Sequence, residues 1–210
     1  MKRHLIVLLC CINFAQLLWA QDENEEVKRG FKKENFFAGG SISAAFASGT
    51  FGIGVNPEFG YNLAKFVDIG VVANYNYTSY SDYYGSNKLH QTIYGGGFFT
   101  RLFPIKFLFA QAQIEHNWIV QKQLYYGGGS DKYKSSSNSL LVGGGYTTGR
   151  DPAGKSAYGY FAILVDLLKE QDSPYVSYEY DPNTGRNVVR QIPIIRAGVI
   201  VPLFQGKGGR

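Results

Sequence analysis

Val67-Asp68-Ile69-Gly70-Val71-Val72-Ala73-Asn74-Tyr75-Asn76-Tyr77 is the stretch whose reading decides the fold. Its odd positions, Val67, Ile69, Val71, Ala73, Tyr75 and Tyr77, are apolar or aromatic; its even positions, Asp68, Gly70, Asn74 and Asn76 with Val72, are mostly polar or small. A period of two is that of a strand with two unlike faces. Two further stretches repeat it. Phe51, Ile53, Val55, Pro57 and Phe59 oppose Gly52, Gly54, Asn56 and Glu58, and Leu108, Ala110, Ala112, Ile114 and Trp118 oppose Gln111, Gln113, Glu115 and Asn117. The apolar face carries aromatics toward its ends while the other carries amides, acids and glycines, the reverse of a soluble barrel with a greasy interior. Apolar-out and polar-in is the pattern of a barrel in lipid, where the sheet must close because an open edge would leave backbone groups unpaired.

Outward from these strands, the chain divides into extended segments at roughly 36–46, 50–60, 66–78, 89–102, 106–120, 137–148, 156–168 and 188–204, separated by Gly, Asn, Asp, Ser and Pro clusters. Short connections at 61–65, 103–105 and 149–155 alternate with longer ones at 79–88, 121–136 and 169–187; only 47–49 breaks the trend. The expectation is an all-β fold: a closed antiparallel up-and-down transmembrane β-barrel of about eight strands over 36–204, both ends of which lie on the periplasmic side.

The N-terminus supports export. Lys2 and Arg3 precede an apolar run from Leu5 to Leu18 and a small residue, Ala20, so 1–20 reads as a cleaved signal peptide. The run is shorter than a membrane-crossing helix and is interrupted by Asn13 and Gln16. Leu9 before Cys10 argues against a lipoprotein site, and with Cys10 and Cys11 removed the exported chain has no thiol for disulfide, nucleophile or metal. The charged, aperiodic stretch 21–35 reads as a mobile periplasmic leader and 205–210 as a tail. Export leaves 19 of the 21 Lys+Arg against all 16 Asp+Glu, a net +3 too mild to mark a nucleic-acid binder. A content of 26 Gly, 16 Tyr and 15 Phe with one Met fits β-structure and turns rather than helices.

Asn56-Pro57-Glu58-Phe59-Gly60-Tyr61 leading into Val67-Asp68-Ile69-Gly70, Thr100-Arg101-Leu102-Phe103-Pro104, and the closing Arg196-Ala197-Gly198-Val199-Ile200-Val201-Pro202-Leu203-Phe204 resemble the small outer-membrane β-barrel domain family, the OmpA-like transmembrane barrel in its Bacteroidetes-type form. The resemblance covers nearly all of the exported chain, without a peptidoglycan-binding domain. It implies cell outer membrane localisation, with outer-membrane lipid and the barrel assembly machinery as partners. Family members often end on or beside an aromatic assembly signal, whereas here residues 205–210 follow Phe204.

Few motifs carry chemistry. Gly149-Arg150-Asp151-Pro152-Ala153-Gly154-Lys155-Ser156 matches the P-loop letter for letter, but a strand-like alternation follows where a phosphate-binding helix is needed, so a tight turn is expected. His90 and His116 are the histidines left after export. They read as rim residues rather than a hydrolase or metal site, so no catalytic residue, metal or cofactor is expected. Gly95–Gly97, Gly127–Gly129 and Gly143–Gly145 read as glycines that let strands curve. Tyr75, Tyr77, Tyr80, Tyr83, Tyr84, Trp118, Tyr125 and Tyr126 read as an interfacial aromatic girdle or, at loop tips, as contact surface for glycan or protein through 79–88, 121–136 and 169–187. Tyr133, Tyr175, Tyr178 and Tyr180 share this outer end. Inside, Arg196 is expected to bridge Asp166, with Glu115, projecting from the opposite wall, as a further candidate partner, in a lumen charge network that plugs the barrel. The function so indicated is a non-enzymatic outer-membrane barrel with a structural or adhesin-like role; the alternatives are a lipid- or peptide-modifying barrel enzyme and a narrow pore.

Overall fold

The computed structural model describes residues 32–47, 50–81, 88–181 and 185–205. Its strands are β1 (Phe36–Ala47), β2 (Thr50–Ala64), β3 (Val67–Ser81), β4 (Lys88–Ile105), β5 (Leu108–Leu124), β6 (Ser130–Thr147), β7 (Tyr158–Asp166), β8 (Val176–Asp181), β9 (Arg186–Gln191) and β10 (Ile194–Pro202). Eight of them close a barrel in the order β1-β10-β7-β6-β5-β4-β3-β2, and β8 and β9 form a separate hairpin. Every pairing is antiparallel, and the ring is sealed where β1 meets β10, with Ser41 opposite Gly198. Residues 1–31, which hold the expected signal peptide and most of the leader, lie outside the described part, as does the tail beyond Gln205. At the end of the leader Lys33–Asn35 make one 3-10 turn, tied down by Asn35 Nδ2 donating to the Asn62 carbonyl at 3.0 Å.

The alternation read from the sequence is the alternation of the barrel. Ile53, Val55, Val71, Phe98, Ile114, Phe161 and Val199 are exposed on the outside, while Asn56, Glu58, Asp68, Arg101, Gln113, Glu115, Asn117 and Arg196 are buried inside. Phe98 is 73% exposed and Glu115 is 1% exposed, an inside-out surface by the standard of a protein dissolved in water.

Several boundaries differ from expectation, each for a physical reason. The stretch 121–136 was expected as a long loop, but β5 and β6 continue to a turn at Tyr125–Gly129, pairing Gln121 with Tyr133 and Lys122 with Lys132. Its Lys-, Ser- and Gln-rich alternation hides a strand because the hairpin is wet on both faces there. Gly127–Gly129 therefore sit in that turn rather than in a strand, with Gly128 and Gly129 at φ of 81° and 109°. The expected last strand, 188–204, is two elements: 188–191 belong to β9, and the barrel strand starts only at Ile194, after Pro193, whose ring lacks a ladder donor. The seventh segment shortens to Tyr158–Asp166, and the connection 169–187 holds most of the β8–β9 hairpin.

These lengths make the barrel lopsided. β4, β5 and β6 run 18, 17 and 18 residues, whereas β7 and β10 run nine each. About 9–11 tilted residues cross a hydrocarbon layer, so the short strands only just span it and the tall ones stand well above.

Glycine admits the interior packing. On alternate strand pairs an inward glycine faces an aromatic residue: Gly60 opposite Phe37, Gly70 opposite Phe99, Gly145 opposite Phe109 and Gly198 opposite Tyr160. A Cβ at each would run into the facing ring. The rings thus lie flat along the wall and fill a lumen too narrow for them otherwise. Gly145→Val should lower the urea midpoint by the equivalent of roughly 1–3 kcal/mol or block folding, whereas Gly127→Ala, in open space, should leave it unchanged. Equilibrium unfolding followed by tryptophan emission checks both.

Candidate functional site in the lumen

The interior is built in three tiers, beginning at the short-turn end. Arg150, in the turn before β7, reaches in to Asp68 of β3 with Nη2 at 2.6 Å and Nε at 3.2 Å. Its guanidinium lies 4.4 Å from the Phe103 ring centre, and its Nη1 donates to the Lys65 carbonyl. The segment that spells a P-loop is thus a plug and a turn. Gly149 and Gly154 take positive φ, the Asp151 carboxylate accepts the amides of Ala153 and Lys155, and a strand follows instead of a helix.

In the middle tier Arg101 of β4 donates Nη2 to Glu58 Oε2 of β2 at 2.7 Å and Nε to Gln111 Oε1 at 2.8 Å. Tyr160 donates its hydroxyl to the other oxygen of Glu58. The guanidinium carbon sits 4.6 Å from the rings of Phe99 and Tyr160 and 5.6 Å from Phe109, so three belt aromatics face one cation. Phe37 completes this apolar cluster with Tyr158 and Ile200.

From there a polar ladder climbs the inward face of β5. Gln111 Nε2 donates to Gln113 Oε1 at 3.0 Å, Gln113 Nε2 to Glu115 Oε2 at 2.6 Å, and Asn117 Nδ2 to Glu115 Oε1 at 2.7 Å. Across the lumen Arg196 donates Nη1 to Gln113 Oε1 at 3.0 Å and brings Nη2 to 3.8 Å from Glu115. The expected bridge from Arg196 to Asp166 is replaced by this arrangement. Counting residues from the strand ends misjudged the register: Arg196 lies opposite Ala162, so Asp166 is four residues further along, about 13 Å at ~3.3 Å per residue.

Asp166 instead fastens the outer closure. It accepts the amides of Leu140 and Leu168 and the Ser173 hydroxyl, the last at 2.6 Å, while its carbonyl accepts Gln191 Nε2. The segment so held drops Tyr175 into the mouth, where its hydroxyl donates to Glu115 Oε1 at 2.6 Å. Burial first, and the Glu115 carboxylate beside it, push the Tyr175 pKa up, which keeps it a donor. Leu141, Leu164 and Ile194 pack around its ring.

Of the remaining expected residues, Tyr75, Tyr77, Trp118 and both histidines lie on the outer wall. Tyr75, Tyr94 and Trp118 sit in one cross-strand row, with the Tyr94 and Trp118 rings stacked at 5.8 Å. Tyr77 meets His90 Nδ1 through its hydroxyl at 2.6 Å, whereas Tyr80, expected in the girdle, takes the inward face of β3 by alternation with Asn74 and Asn76 and donates its hydroxyl to Gln91 Oε1 at 3.4 Å. Tyr125 and Tyr126 stand at the tip of the β5–β6 hairpin, and Tyr83 and Tyr84 fall outside the described residues. His116 lies on the outer surface, edge-on to Trp118 and 2.9 Å from Asn138. The two histidines are thus spread over the outside of β4 and β5, each with its own polar neighbour.

Sequence reasoning missed the lumen roles of Arg101 and Arg150, and it read Tyr175 as an outer-end aromatic, whereas its ring is buried in the mouth because its hydroxyl reaches Glu115. Arg101 had a readable signal, since alternation within β4 puts it on the same face as Phe99 and Phe103. Arg150 and Tyr175 lie in connections, where periodicity says nothing.

No family model and no curated protein matches the chain. Among solved structures it is similar to Neisserial surface protein A, at 16% identity over 80% of this chain and 97% of that one, with a TM-score of 0.42. It is also similar to Ail, the attachment invasion locus protein of Yersinia pestis, at 11% identity over 78% and 93%, TM-score 0.39. A complex of Ail with the heparin analogue sucrose octasulfate matches at 12% identity over 78% and 94%, TM-score 0.39.

Arg101→Met should cost about 3–5 kcal/mol by stranding Glu58. Adding Glu58→Gln should recover most of that loss. Unfolding midpoints of the single and double variants test the pairing.

Proposed function

We propose that the protein is a non-enzymatic, non-conducting barrel of the bacterial outer membrane, whose tall outer wall makes surface contacts with glycan or protein. The observation that carries this reading is the filled lumen. An eight-stranded barrel is barely wide enough for its own side chains, and here the Arg150–Asp68, Arg101–Glu58 and Arg196–Glu115 pairs, the aromatic belt and Tyr175 occupy it. Charges held in a water-excluded interior must stay paired, so opening a path would break several pairs together. That weighs against a pore.

Membrane insertion is supported by the apolar outer wall, the aromatic row Tyr75-Tyr94-Trp118 and the closed ring that leaves no edge within the nine-residue band of β7 and β10. The signal-like 1–20 fits export to that membrane, and Phe204 is the candidate recognition element for the assembly machinery, 66% exposed just past the end of β10. With the short turns in the periplasm, the β5–β6 tip, where Tyr126 is 87% exposed, faces outside the cell. Rigid aromatics at such a tip supply contact area at small entropic cost.

The protein should fractionate with outer membrane, migrate faster unboiled than boiled, and show no conductance steps in a planar bilayer. Conductance steps in the wild-type protein, or hydrolytic activity lost on His90→Ala, would replace this reading with a pore or an enzyme.

A further inference from the structure

We propose that the outer face of the β4–β5–β6 wall carries a binding site for the phosphate groups of a glycolipid in the outer leaflet, formed by Lys122, Lys132 and Lys134 above the Tyr94–Trp118 pair. The inference deepens the membrane reading above and rests on it.

The site follows from register. Trp118 lies opposite Tyr94 on one side and Ser136 on the other. Two residues further out, Val120 pairs with Thr92 and Lys134; two beyond that, Lys122 pairs with His90 and Lys132. All these side chains share the face of Trp118, because Ile119 between Trp118 and Val120 is 1% exposed and points inward. With ~3.3 Å per residue and a strand tilt of ~40°, Lys134 stands about 5 Å and Lys122 with Lys132 about 10 Å above the aromatic row. The aromatic row marks the edge of the hydrocarbon, and the headgroup zone extends roughly 5–8 Å beyond it. Lysine stems are long enough to bring all three ammonium groups to phosphate depth.

A second observation asks for an external anion. Lys122 and Lys132 face each other directly across the ladder, an arrangement that repels. Among the described residues no carboxylate neutralises them. Asp131 points the other way and accepts the Tyr125 hydroxyl at 2.9 Å, while Glu170 caps the Asn138 amide at 2.8 Å. Three cations flanked by aromatics and turned sideways, toward lipid rather than toward the loop tips, fit an anion that approaches within the membrane plane.

Trp118 is a built-in reporter, since the other tryptophan, Trp19, lies within the expected signal peptide. Residues 21–210 would be folded in nanodiscs of phosphatidylcholine, with and without diphosphorylated lipid A, and titrated by Trp118 emission. Phosphorylated lipid A should shift the emission saturably and raise the Tm. The triple variant Lys122→Gln/Lys132→Gln/Lys134→Gln should weaken binding by about 100-fold, taking roughly fivefold per lysine at an anionic surface, while keeping the fast-migrating folded band. Dephosphorylated lipid A should bind as weakly as the variant, and inorganic phosphate should leave the emission unchanged. Equal binding by the triple variant or by dephosphorylated lipid A overturns the proposal, as does an equal response to inorganic phosphate. Should the wild-type chain give no heat-modifiable band in nanodiscs, the membrane reading itself falls; a folded band without a lipid A response removes only the site.

Discussion

The Arg101 guanidinium is the group around which this barrel is arranged. A cation enclosed by eight strands has no water to solvate it, so the surrounding wall must supply charge, hydrogen bonds and polarisable surface together. Glu58 supplies the charge, Gln111 a hydrogen bond, and Phe99, Phe109 and Tyr160 the ring faces. Those rings fit only because Gly70, Gly145 and Gly198 stand opposite them. Seen this way, the glycine content of the chain and the charges of its interior answer one requirement, which is to fill a narrow tube with groups that satisfy one another.

The Gln111–Asn117 ladder carries that order outward, and Glu115 is its junction. This one carboxylate accepts from Gln113, Asn117 and Tyr175 and lies near Arg196, so β5, β10 and the connection carrying Tyr175 converge on it. Asp166 does similar work one level higher, holding the segment that brings Tyr175 in. The low wall of β7 and β10 is thereby closed over by its own connection, while β4, β5 and β6 extend beyond it to the β5–β6 turn.

The fold was legible in the sequence because a membrane barrel writes its faces with period two. Val67–Tyr77 and Leu108–Trp118 assign inside and outside residue by residue, and Asp68, Glu58, Gln113, Glu115 and Asn117 are buried where alternation places them. Legibility ended where the physics changed. Above the bilayer both faces of β5 and β6 are wet, so Gln121 to Ser136 lost the signal of a strand. Partner choice in the lumen depends on cross-strand register, which alternation leaves open, and a shift of four residues separated Asp166 from Arg196. Arg150 and Tyr175 act from connections and came without any periodic mark.

Cysteine accessibility tests the central claim most directly, since both cysteines of the chain, Cys10 and Cys11, fall within the expected signal peptide and residues 21–210 carry none. Ser41→Cys and Ser139→Cys would place near-isosteric thiols in the lumen, Ala112→Cys and Ile114→Cys on the outer wall, and Gly127→Cys at the β5–β6 tip. In bilayers the account predicts that a water-soluble maleimide labels only position 127, and that a lipid-soluble reagent labels 112 and 114. Aqueous labelling of 41 and 139 would mean a hydrated lumen, and aqueous labelling of 112 and 114 would mean a wall that does not face lipid; either result contradicts the account.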